Sequence, residues 1–390
     1  MHPAGFRRCN RPYVLLVLGM LIHLSGVAYS QARMWTTETV DTDGGTFNSL
    51  AIDTEGNVHI GYLSPEGGGT KYAFRSSATG RWFNMVVDKN NGFVSLALDS
   101  HQHPHLCYTP YETLKYARWD GNRWQIQEIA PRSGSREFSC GVAVGPGDVP
   151  HVTWYQYGDA ANQLYLHIRH AELKNGTWLA HTLDLGRETG KWNCVRVDSQ
   201  GRTYVSYSAF REGAMRLAVS DPNGKWTVMT VEDGRAGNNA GTTPGMGNSL
   251  VLDSNGKANL AYRDESTLRY AWPDGNHWRV DVVDPNANPL GNLDWINQRT
   301  SLALDTFGHP HIAYETDGAL KHAWWDGTKW KIQPMGISGA QHRNPSLAIS
   351  RDNVIFIGYT DPDDGSLKVL IGTPVQPQPA AAQTPAGASK

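Results

Sequence analysis

One stretch of the chain, Ser301 to Trp330, recurs in register seven times along the sequence. It contains three short runs in which small and large or polar and apolar residues alternate, at Ser301–Asp305, Pro310–Tyr314 and Leu320–Trp324. Asp326-Gly327 then forms a tight-turn signal that leads into a fourth run. Each copy of the repeat is therefore predicted to be a unit of four short antiparallel strands.

Three columns of residues keep the copies in register. A small residue opens the first strand ten positions before the residue that opens the second strand, in the pairs Ser49/His59, Ser95/His105, Gly141/His151, Cys194/Tyr204, Ser249/Asn259, Ser301/His311 and Ser346/Phe356. Three positions later stands an aromatic residue, which is Tyr62, Tyr108, Trp154, Tyr207, Tyr262, Tyr314 or Tyr359. A basic residue marks the third strand, at Lys71, Lys115, Arg169, Arg216, Arg269, Lys321 and Lys368. Similar composition alone does not produce this alignment.

A repeated four-stranded unit of roughly 40 to 50 residues is typical of a β-propeller blade, because one such sheet cannot bury both of its faces alone. A tryptophan follows the third strand in the first six copies, whereas the seventh copy ends without one. Residues Arg33–Val40 contain Trp35 and resemble an isolated fourth strand. The sequence therefore predicts an all-β fold, a seven-bladed β-propeller of four-stranded antiparallel blades, whose ring is closed by an N-terminal strand.

The ends of the chain differ from the repeat. In residues 1–30, three arginines precede the apolar run Tyr13–Leu24, and the small residues of Ala28-Tyr29-Ser30 follow it. This three-part pattern predicts a signal peptide and a secreted or periplasmic protein, with an uncleaved membrane anchor as the alternative. The propeller is assigned to residues 31–374, and the Pro/Ala-rich residues 375–390 are predicted to be a disordered tail.

Composition limits the classes of partner and cofactor that the sequence predicts. Formal net charge is -2 and charged residues make up 18% of the chain, so the sequence carries no basic footprint for nucleic acid. We expect a monomer with no cofactor and no membrane contact after signal cleavage. Three cysteines remain in the mature chain, an odd number. A Cys140–Cys194 bridge is conceivable, but the favoured interpretation is that these two and Cys107 are small buried strand residues.

Three histidines at alternate positions, His101, His103 and His105, raise the possibility of a metal site. His105 belongs to the repeat column, and copies that lack the other two histidines look equally intact. These histidines are therefore interpreted as part of the scaffold, and no metal is predicted. A zinc site of cysteines is also excluded, because no cysteine pair or Cys/His pair has ligand spacing.

The turns before the tryptophans resemble the Asp-box, or BNR repeat, of sialidase-type propellers. They are Asp120-Gly121-Asn122-Arg123-Trp124, Asp274-Gly275-Asn276-His277-Trp278 and Asp326-Gly327-Thr328-Lys329-Trp330. The leading serine and the Asp-x-Gly spacing of that family are mostly absent here. In that family the box stabilises the fold far from the active site, so the resemblance implies architecture and no activity. The motifs that identify a sialidase itself cannot be placed in this sequence.

Three functions stay open on this fold. The first is a secreted, lectin-like propeller that binds an acidic glycan, with aromatic rings stacked on sugar faces and polar groups on the hydroxyls. The second is a polysaccharide lyase or glycosidase on the same ring. Seven-bladed lyases use a His/Tyr pair as base and acid and an arginine that neutralises the uronate. The third is a cell-surface propeller that binds proteins.

The predicted site consists of residues that the repeat columns do not explain. They are Tyr155, Trp192, Arg196, Arg211, Trp295, Arg299, His342 and Arg343. Arg196 is notable because the other copies have alanine or valine at its position. In the enzyme alternative, His342 is the base, and Arg196 or Arg211 neutralises the carboxylate. We expect the site at the end of the ring where fourth strands connect to the next inner strand, over blades three to seven.

Overall fold

The computed structural model describes residues 32–375 apart from 65–66, 91, 111–112, 132–138, 161–162, 187, 236–241, 288–298, 317 and 340–343. The predicted signal peptide and nearly all of the predicted tail lie outside the described residues. Within the described part of the chain, no helix is long and apolar enough to cross a membrane.

The described strands form seven four-stranded sheets. Strand β1 (Arg33–Asp41) precedes the first blade. Blade one contains β2 (Thr46–Ile52), β3 (Val58–Ser64), β4 (Gly69–Arg75) and β5 (Trp82–Asp88). Blade two contains β6 (Phe93–Leu98), β7 (Pro104–Thr109), β8 (Thr113–Trp119) and β9 (Trp124–Pro131). Blade three contains β10 (Cys140–Gly145), β11 (Val149–Ala160), β12 (Gln163–Lys174) and β13 (Thr177–Thr182).

The second half of the ring continues the same order. Blade four contains β14 (Thr189–Val197), β15 (Thr203–Ala209), β16 (Ala214–Ser220) and β17 (Trp226–Asp233). Blade five contains β18 (Met246–Leu252), β19 (Ala258–Arg263), β20 (Leu268–Asp274) and β21 (His277–Asp284). Blade six contains β22 (Thr300–Leu304), β23 (Pro310–Thr316), β24 (Ala319–Trp325) and β25 (Trp330–Ser338). Blade seven contains β26 (Ser346–Ile349), β27 (Ile355–Thr360), β28 (Leu367–Pro374) and, as its outer strand, β1.

The predicted fold class is confirmed: the protein is all-β, with seven blades of four antiparallel strands. In the seventh sheet, β1 pairs antiparallel with β28, and Arg33 lies opposite Pro374. β1 also contacts the neighbouring blades. Trp35 packs edge-on against His322 of blade six, and Glu38 accepts hydrogen bonds from Arg75 of blade one at 2.8 Å.

The hydrophobic core lies between the blades. The buried hydrophobic residues form seven clusters, and each cluster combines side chains from two adjacent blades. In the cluster between blades seven and one, for example, Val58 and Ile60 pack with Leu367 and Val369, and all four are fully buried. Burial of one such side chain contributes roughly 1.5–3 kcal/mol, so most of the stability depends on blade-to-blade contacts.

The column of small residues joins the inner strands to one another. In five blades the serine Oγ accepts a hydrogen bond from a backbone N–H of the next inner strand. The pairs are Ser49 with Leu96 at 3.0 Å, Ser95 with Val142 at 3.3 Å, Ser249 with Leu302 at 3.1 Å, Ser301 with Leu347 at 2.8 Å and Ser346 with Leu50 at 2.8 Å. At Gly141 a Cβ atom would lie 3.3 Å from both Val195 N and Val195 Cγ1, on the inner strand of blade four. Close approach of neighbouring inner strands therefore explains why this column is small.

The aromatic and basic columns also join blades. At five interfaces, a carboxylate at or just past the end of one blade's outer strand accepts hydrogen bonds from the tyrosine and the basic residue of the next blade. These carboxylates are Asp41 (Tyr62, Lys71), Asp88 (Tyr108, Lys115), Asp184 (Tyr207, Arg216), Glu232 (Tyr262, Arg269) and Asp284 (Tyr314, Lys321). The tyrosine and basic columns therefore belong to the scaffold.

The cysteine expectation is wrong. Cys107 in β7 and Cys140 at the start of β10 form a disulfide between blades two and three, with their Cα atoms 6.3 Å apart. Cys194 is not bridged. Cys140 precedes the small-residue column by one position, whereas Cys194 is in that column. The two side chains therefore occupy different positions in their strands, and Cys140 meets the second strand of the preceding blade.

We predict that deletion of residues 31–40 abolishes cooperative unfolding. The deletion removes the outer strand of blade seven, exposes the edge of β28 and removes the contacts of Trp35 and Glu38 with both neighbouring blades. Calorimetric melting of the truncated and intact proteins measures the effect. Removal of residues 376–390 is the matched control, and it should leave the melting curve unchanged. A truncated protein that melts like the intact one would contradict the proposed role of β1.

We also predict that stability falls as the pH drops below about 6.5. Burial lowers the pKa of His151 to about 4, and it lowers the pKa values of His170 and His322 well below the ordinary value. In the unfolded chain these imidazoles regain ordinary pKa values and take up protons first. Each histidine therefore removes up to about 1.4 kcal/mol of unfolding free energy per pH unit below that point.

Denaturant unfolding between about pH 7 and pH 5 measures this dependence. The variant His322→Gln should show a shallower pH slope, whatever its stability at neutral pH. The exposed His277 provides the control, since His277→Gln should leave the slope unchanged. Equal slopes in all three proteins would refute the buried-histidine explanation.

Candidate functional site

A cavity of about 460 Å³ lies on the axis of the ring, lined by residues at and near the starts of the inner strands. It is therefore at the end of the ring where the outer strand of each blade connects to the next inner strand. Among the described residues, three cationic side chains line it, Lys191, Arg196 and Arg299, together with the aromatic residues Phe93, Tyr155 and Trp192. The sequence predicted a site at this end over blades three to seven, whereas the cavity lining also includes residues of blades one and two.

Local β-bulges shape the rim of the cavity. The inner strands of blades one, four and five each contain a register shift at their start, and a residue with positive φ lies within it: Phe47 (51°), Trp192 (49°) and Gly247 (57°). Positive φ is unfavourable for a bulky aromatic residue, and such strain is concentrated at functional sites. The bulge at Trp192 brings an indole to the cavity wall.

An asparagine follows each bulge residue and secures it. The side-chain amides of these asparagines donate to backbone carbonyls that precede the inner strand of the previous blade or lie at its start, in the pairs Asn48 with Asn344, Asn193 with Ser139 and Asn248 with Trp192. These buried hydrogen bonds offset part of the backbone strain. These hydrogen bonds fix the three bulges at the rim to the preceding blades.

Arg299 reaches across one end of the cavity. It precedes the inner strand of blade six, yet its guanidinium carbon lies 6.0 Å from the ring centroid of Phe47 and 5.8 Å from that of Phe93, in blades one and two. The two rings are in contact, with centroids 4.1 Å apart. Burial lowers the pKa of Arg299 to about 10, so the side chain still carries its charge at neutral pH.

Arg196 and Lys191 lie on the inner strand of blade four. Arg196 donates to its neighbour's carbonyl, Val195 O, at 2.8 Å and approaches Cys194 Sγ at 3.5 Å. Among the described residues it forms no ion pair. Lys191 Nζ lies 4.3 Å above the ring of Phe210 and 4.0 Å from a carboxylate oxygen of Glu188. The charge of Arg196 is thus balanced by no described carboxylate, unlike that of the basic residues at the five paired interfaces.

The described residues that line the cavity include no aspartate, glutamate or histidine. Three cations therefore share a partly enclosed space, where electrostatic attraction for an anion is stronger than in bulk water. The same residues offer one free thiol, Cys194, and this set is insufficient for a metal ion. The cavity is chemically suited to a small anionic group flanked by an apolar or sugar-like face.

Blade three departs from the scaffold next to this cavity. Its aromatic column residue is Trp154, which has no hydroxyl, and its basic residue Arg169 lies 5.8 Å from the Trp154 ring. Arg169 donates to Thr182 Oγ1 at 3.2 Å, and no described carboxylate pairs with it. The next residue after the tryptophan, Tyr155, is 3% exposed and lines the cavity.

The structure brings four of the eight predicted residues together at the cavity: Tyr155, Trp192, Arg196 and Arg299. Arg211 lies at the same end of the ring, in the turn after β15, but it does not line the cavity. Its exposed guanidinium donates to Glu188 at 2.7 Å. The remaining three predicted residues, Trp295, His342 and Arg343, lie outside the described residues.

Sequence reasoning missed Lys191, Phe93 and Phe47. The sequence held a signal for Phe47 and, through its neighbour Trp192, for Lys191. Phe47 and Trp192 both directly precede an asparagine and the small column residue. Aligned on that column, the pattern singles out these two positions as equivalent. Lys191 precedes Trp192 and could have been included with it. Phe93 has no such signal, since its contact with Phe47 exists only in the folded ring.

No protein-family model and no curated protein matches this sequence. Solved structures of similar fold include a polysaccharide lyase of family PL25, an ulvan lyase bound to -[GlcA(1-4)Rha3S]-. It has a TM-score of 0.58 and 13% identity, over 86% of this chain and 96% of that chain. AofleA from Arthrobotrys oligospora has a TM-score of 0.52 and 14% identity, over 80% of this chain and 93% of that one.

An α-L-arabinanase from Penicillium chrysogenum, complexed with arabinobiose, is also similar, with a TM-score of 0.50 and 13% identity over 88% of this chain and 98% of that one. At these identities the similarity shows the fold alone. No family model confirms that the turns before the tryptophans are Asp-box repeats.

We predict that the basic residues of the repeat column stabilise the fold, whereas the cationic residues of the cavity bind an anion. Burial alone would raise the pKa of Asp284, but hydrogen bonds from Tyr314 and Lys321 hold it below its ordinary value. Asp284→Ala should therefore lower the unfolding free energy by about 3 kcal/mol, because it leaves a mostly buried lysine unpaired. Denaturant unfolding measures this loss.

The exposed pair of Asp274 with Arg279 provides the control, since Asp274→Ala should change stability by less than about 1 kcal/mol. Anion binding should be the same in both variants and in the parent protein. Lost binding in a still-folded Asp284→Ala variant would assign that column to the site instead.

Proposed function

We propose that this protein is a propeller that binds an acidic glycan in its central cavity. One observation carries the proposal: three cationic side chains, Lys191, Arg196 and Arg299, line a cavity whose described lining contains no carboxylate. An anionic ligand would supply the missing negative charge. A neutral ligand would leave Arg196 without a described carboxylate partner, whereas Lys191 already lies 4.0 Å from Glu188.

The shape and chemistry of the lining support a sugar as the carrier of that charge. The indole of Trp192 offers a flat apolar surface of the kind that stacks on a pyranose ring. Arginine guanidinium groups match carboxylate and sulfate oxygens through paired N–H donors. The side chains of Ser49, Ser95 and Ser301 add hydroxyl groups to the wall. Fold neighbours that act on glycans, such as the ulvan lyase, lend further support.

Elimination at a uronate is the second candidate, and the position of Tyr155 favours it. Tyr155 lines the cavity but its hydroxyl is buried, so the side chain would have to turn toward the ligand to take or return a proton, while the cations stabilise the charge that develops on the uronate. A glycosidase in this cavity is disfavoured, because a pair of carboxylates is needed and the described lining has none. No observation favours the protein-binding alternative.

We also propose that the protein functions outside the cytoplasm. The arginine-led apolar segment at the N-terminus supports export. The Cys107–Cys140 disulfide supports it independently, since such bonds persist in oxidising compartments. An export assay with a reporter fused after residue 30 would test this proposal.

The cavity proposal predicts that Arg196→Gln combined with Arg299→Gln abolishes most of the binding of a uronate-rich polysaccharide. Each lost charge-assisted contact is worth about 1.5–3 kcal/mol, so affinity should fall by at least about a hundredfold. Calorimetric titration with ulvan-type, pectic and alginate oligosaccharides, and with neutral arabinan for contrast, measures it.

Arg211→Gln is the matched control, because Arg211 carries the same charge at the same end of the ring and lies outside the cavity lining. It should retain full affinity. Equal affinity in the parent and the double variant, or tighter binding of the neutral glycan, would refute the proposal. The ultraviolet absorbance of unsaturated uronate, followed in the same mixtures, decides between binding alone and elimination.

A further inference from the structure

The opposite end of the ring carries a second chemical feature, at the turns between the first and second strands. In five blades an aspartate begins this turn and its Oδ1 accepts two backbone N–H groups: Asp53, Asp99, Asp198, Asp253 and Asp305. The side chains two and four positions after the aspartate project from the same turn. Only in blade two are both of them histidines, His101 and His103.

Neighbouring turns are connected in a repeated way. The backbone N–H after the aspartate donates to a side chain on the next blade, in the pairs Thr54 with Gln102, Ser100 with Asp148 and Thr306 with Asn353. Each accepting residue has positive φ, between 57° and 65°. Among these three connections, only the one between blades two and three uses a carboxylate. Asp148 thus places a negative charge beside the histidines of blade two.

The ligand atoms of Asp99, His101 and Asp148 all lie within 4.8 Å of one another. His101 Nδ1 is 3.3 Å from Asp148 Oδ2, and His103 Nδ1 is 3.6 Å from Asp99 Oδ2. His105, which is buried, lies with Nε2 3.3 Å from the same oxygen of Asp99. A hydrogen bond of this kind orients a metal-binding carboxylate in known sites.

We propose that Asp99, His101 and Asp148 bind one divalent transition-metal ion of the zinc type. The imidazole of His101 favours Zn²⁺ over the hard ions Mg²⁺ and Ca²⁺, which prefer oxygen ligands alone, and the two carboxylates suit either class of ion. Because the ligands come from two blades, the bound ion would connect the turns of blades two and three. No metal was predicted from the sequence, in which Asp148 belongs to a different copy of the repeat from the histidines.

Blade six provides a natural comparison. Asp305 and His309 repeat the geometry of Asp99 and His103, with the same 3.6 Å separation. Phe307 replaces His101, and Asn353 on the next blade replaces Asp148. The two turns therefore differ in the two proposed ligands and in the cation Arg33, which donates to the carbonyl of Asn353 in blade six. Exchange of the two ligand positions tests the proposal in both directions, and the charge of Arg33 makes the blade-six site the weaker of the two.

The experiment is calorimetric titration of the untagged chain with ZnCl₂, and with MgCl₂ for contrast. We expect one Zn²⁺ per chain, and His101→Phe or Asp148→Asn should each raise the dissociation constant by about tenfold or more. The amide oxygen introduced by Asp148→Asn would still accept the Ser100 N–H, as Asn353 accepts the equivalent N–H in blade six, so melting in chelator should not change. The double substitution Phe307→His with Asn353→Asp should create a second Zn²⁺ site.

A parent protein that binds no Zn²⁺ at micromolar free metal would overturn the proposal. Equal affinity in the parent and in both loss variants would do the same, because it would place the ion elsewhere. Melting curves with and without Zn²⁺ give an independent readout, since a ligand that binds only the folded state raises the melting temperature.

Discussion

Every blade of this protein is a sheet with two faces to bury, and only the neighbouring blades can bury them. Among the described residues, the seven hydrophobic clusters all lie at blade interfaces, and none is confined to one blade. The polar contacts also join adjacent blades. Serines accept hydrogen bonds from the inner strand of the next blade, and carboxylates at the ends of outer strands accept hydrogen bonds from the tyrosine and the basic residue of the next blade. Stability is therefore a property of the closed ring.

This dependence explains which parts of the structure could be predicted from sequence. Columns such as Ser301, His311 and Tyr314 recur because every interface imposes the same packing, and they indicated seven blades directly. The site residues are exceptions to the columns, and Arg196 was found for that reason. Arg211 also looked exceptional, but its partner Glu188 lies in a link between blades that no column covers.

Contacts across the ring were beyond sequence reasoning. The pairing of Cys107 with Cys140 joins a second strand to the following inner strand, and neither position is marked by the repeat register alone. The contact of Arg299 with Phe47 and Phe93 spans blades that are far apart in sequence. Such contacts depend on the angle between blades and on local bulges, which strand alternation does not encode.

The pairing of β1 with β28 has a consequence for how the protein can be tethered. Arg33 lies opposite Pro374, and the side chain of Arg33 donates to the carbonyl of Asn353, in a turn between first and second strands. Both ends of the propeller therefore leave blade seven side by side, at the end of the ring remote from the cavity. A segment attached at either terminus would hold the ring by that remote end, and the cavity would point away from the point of attachment.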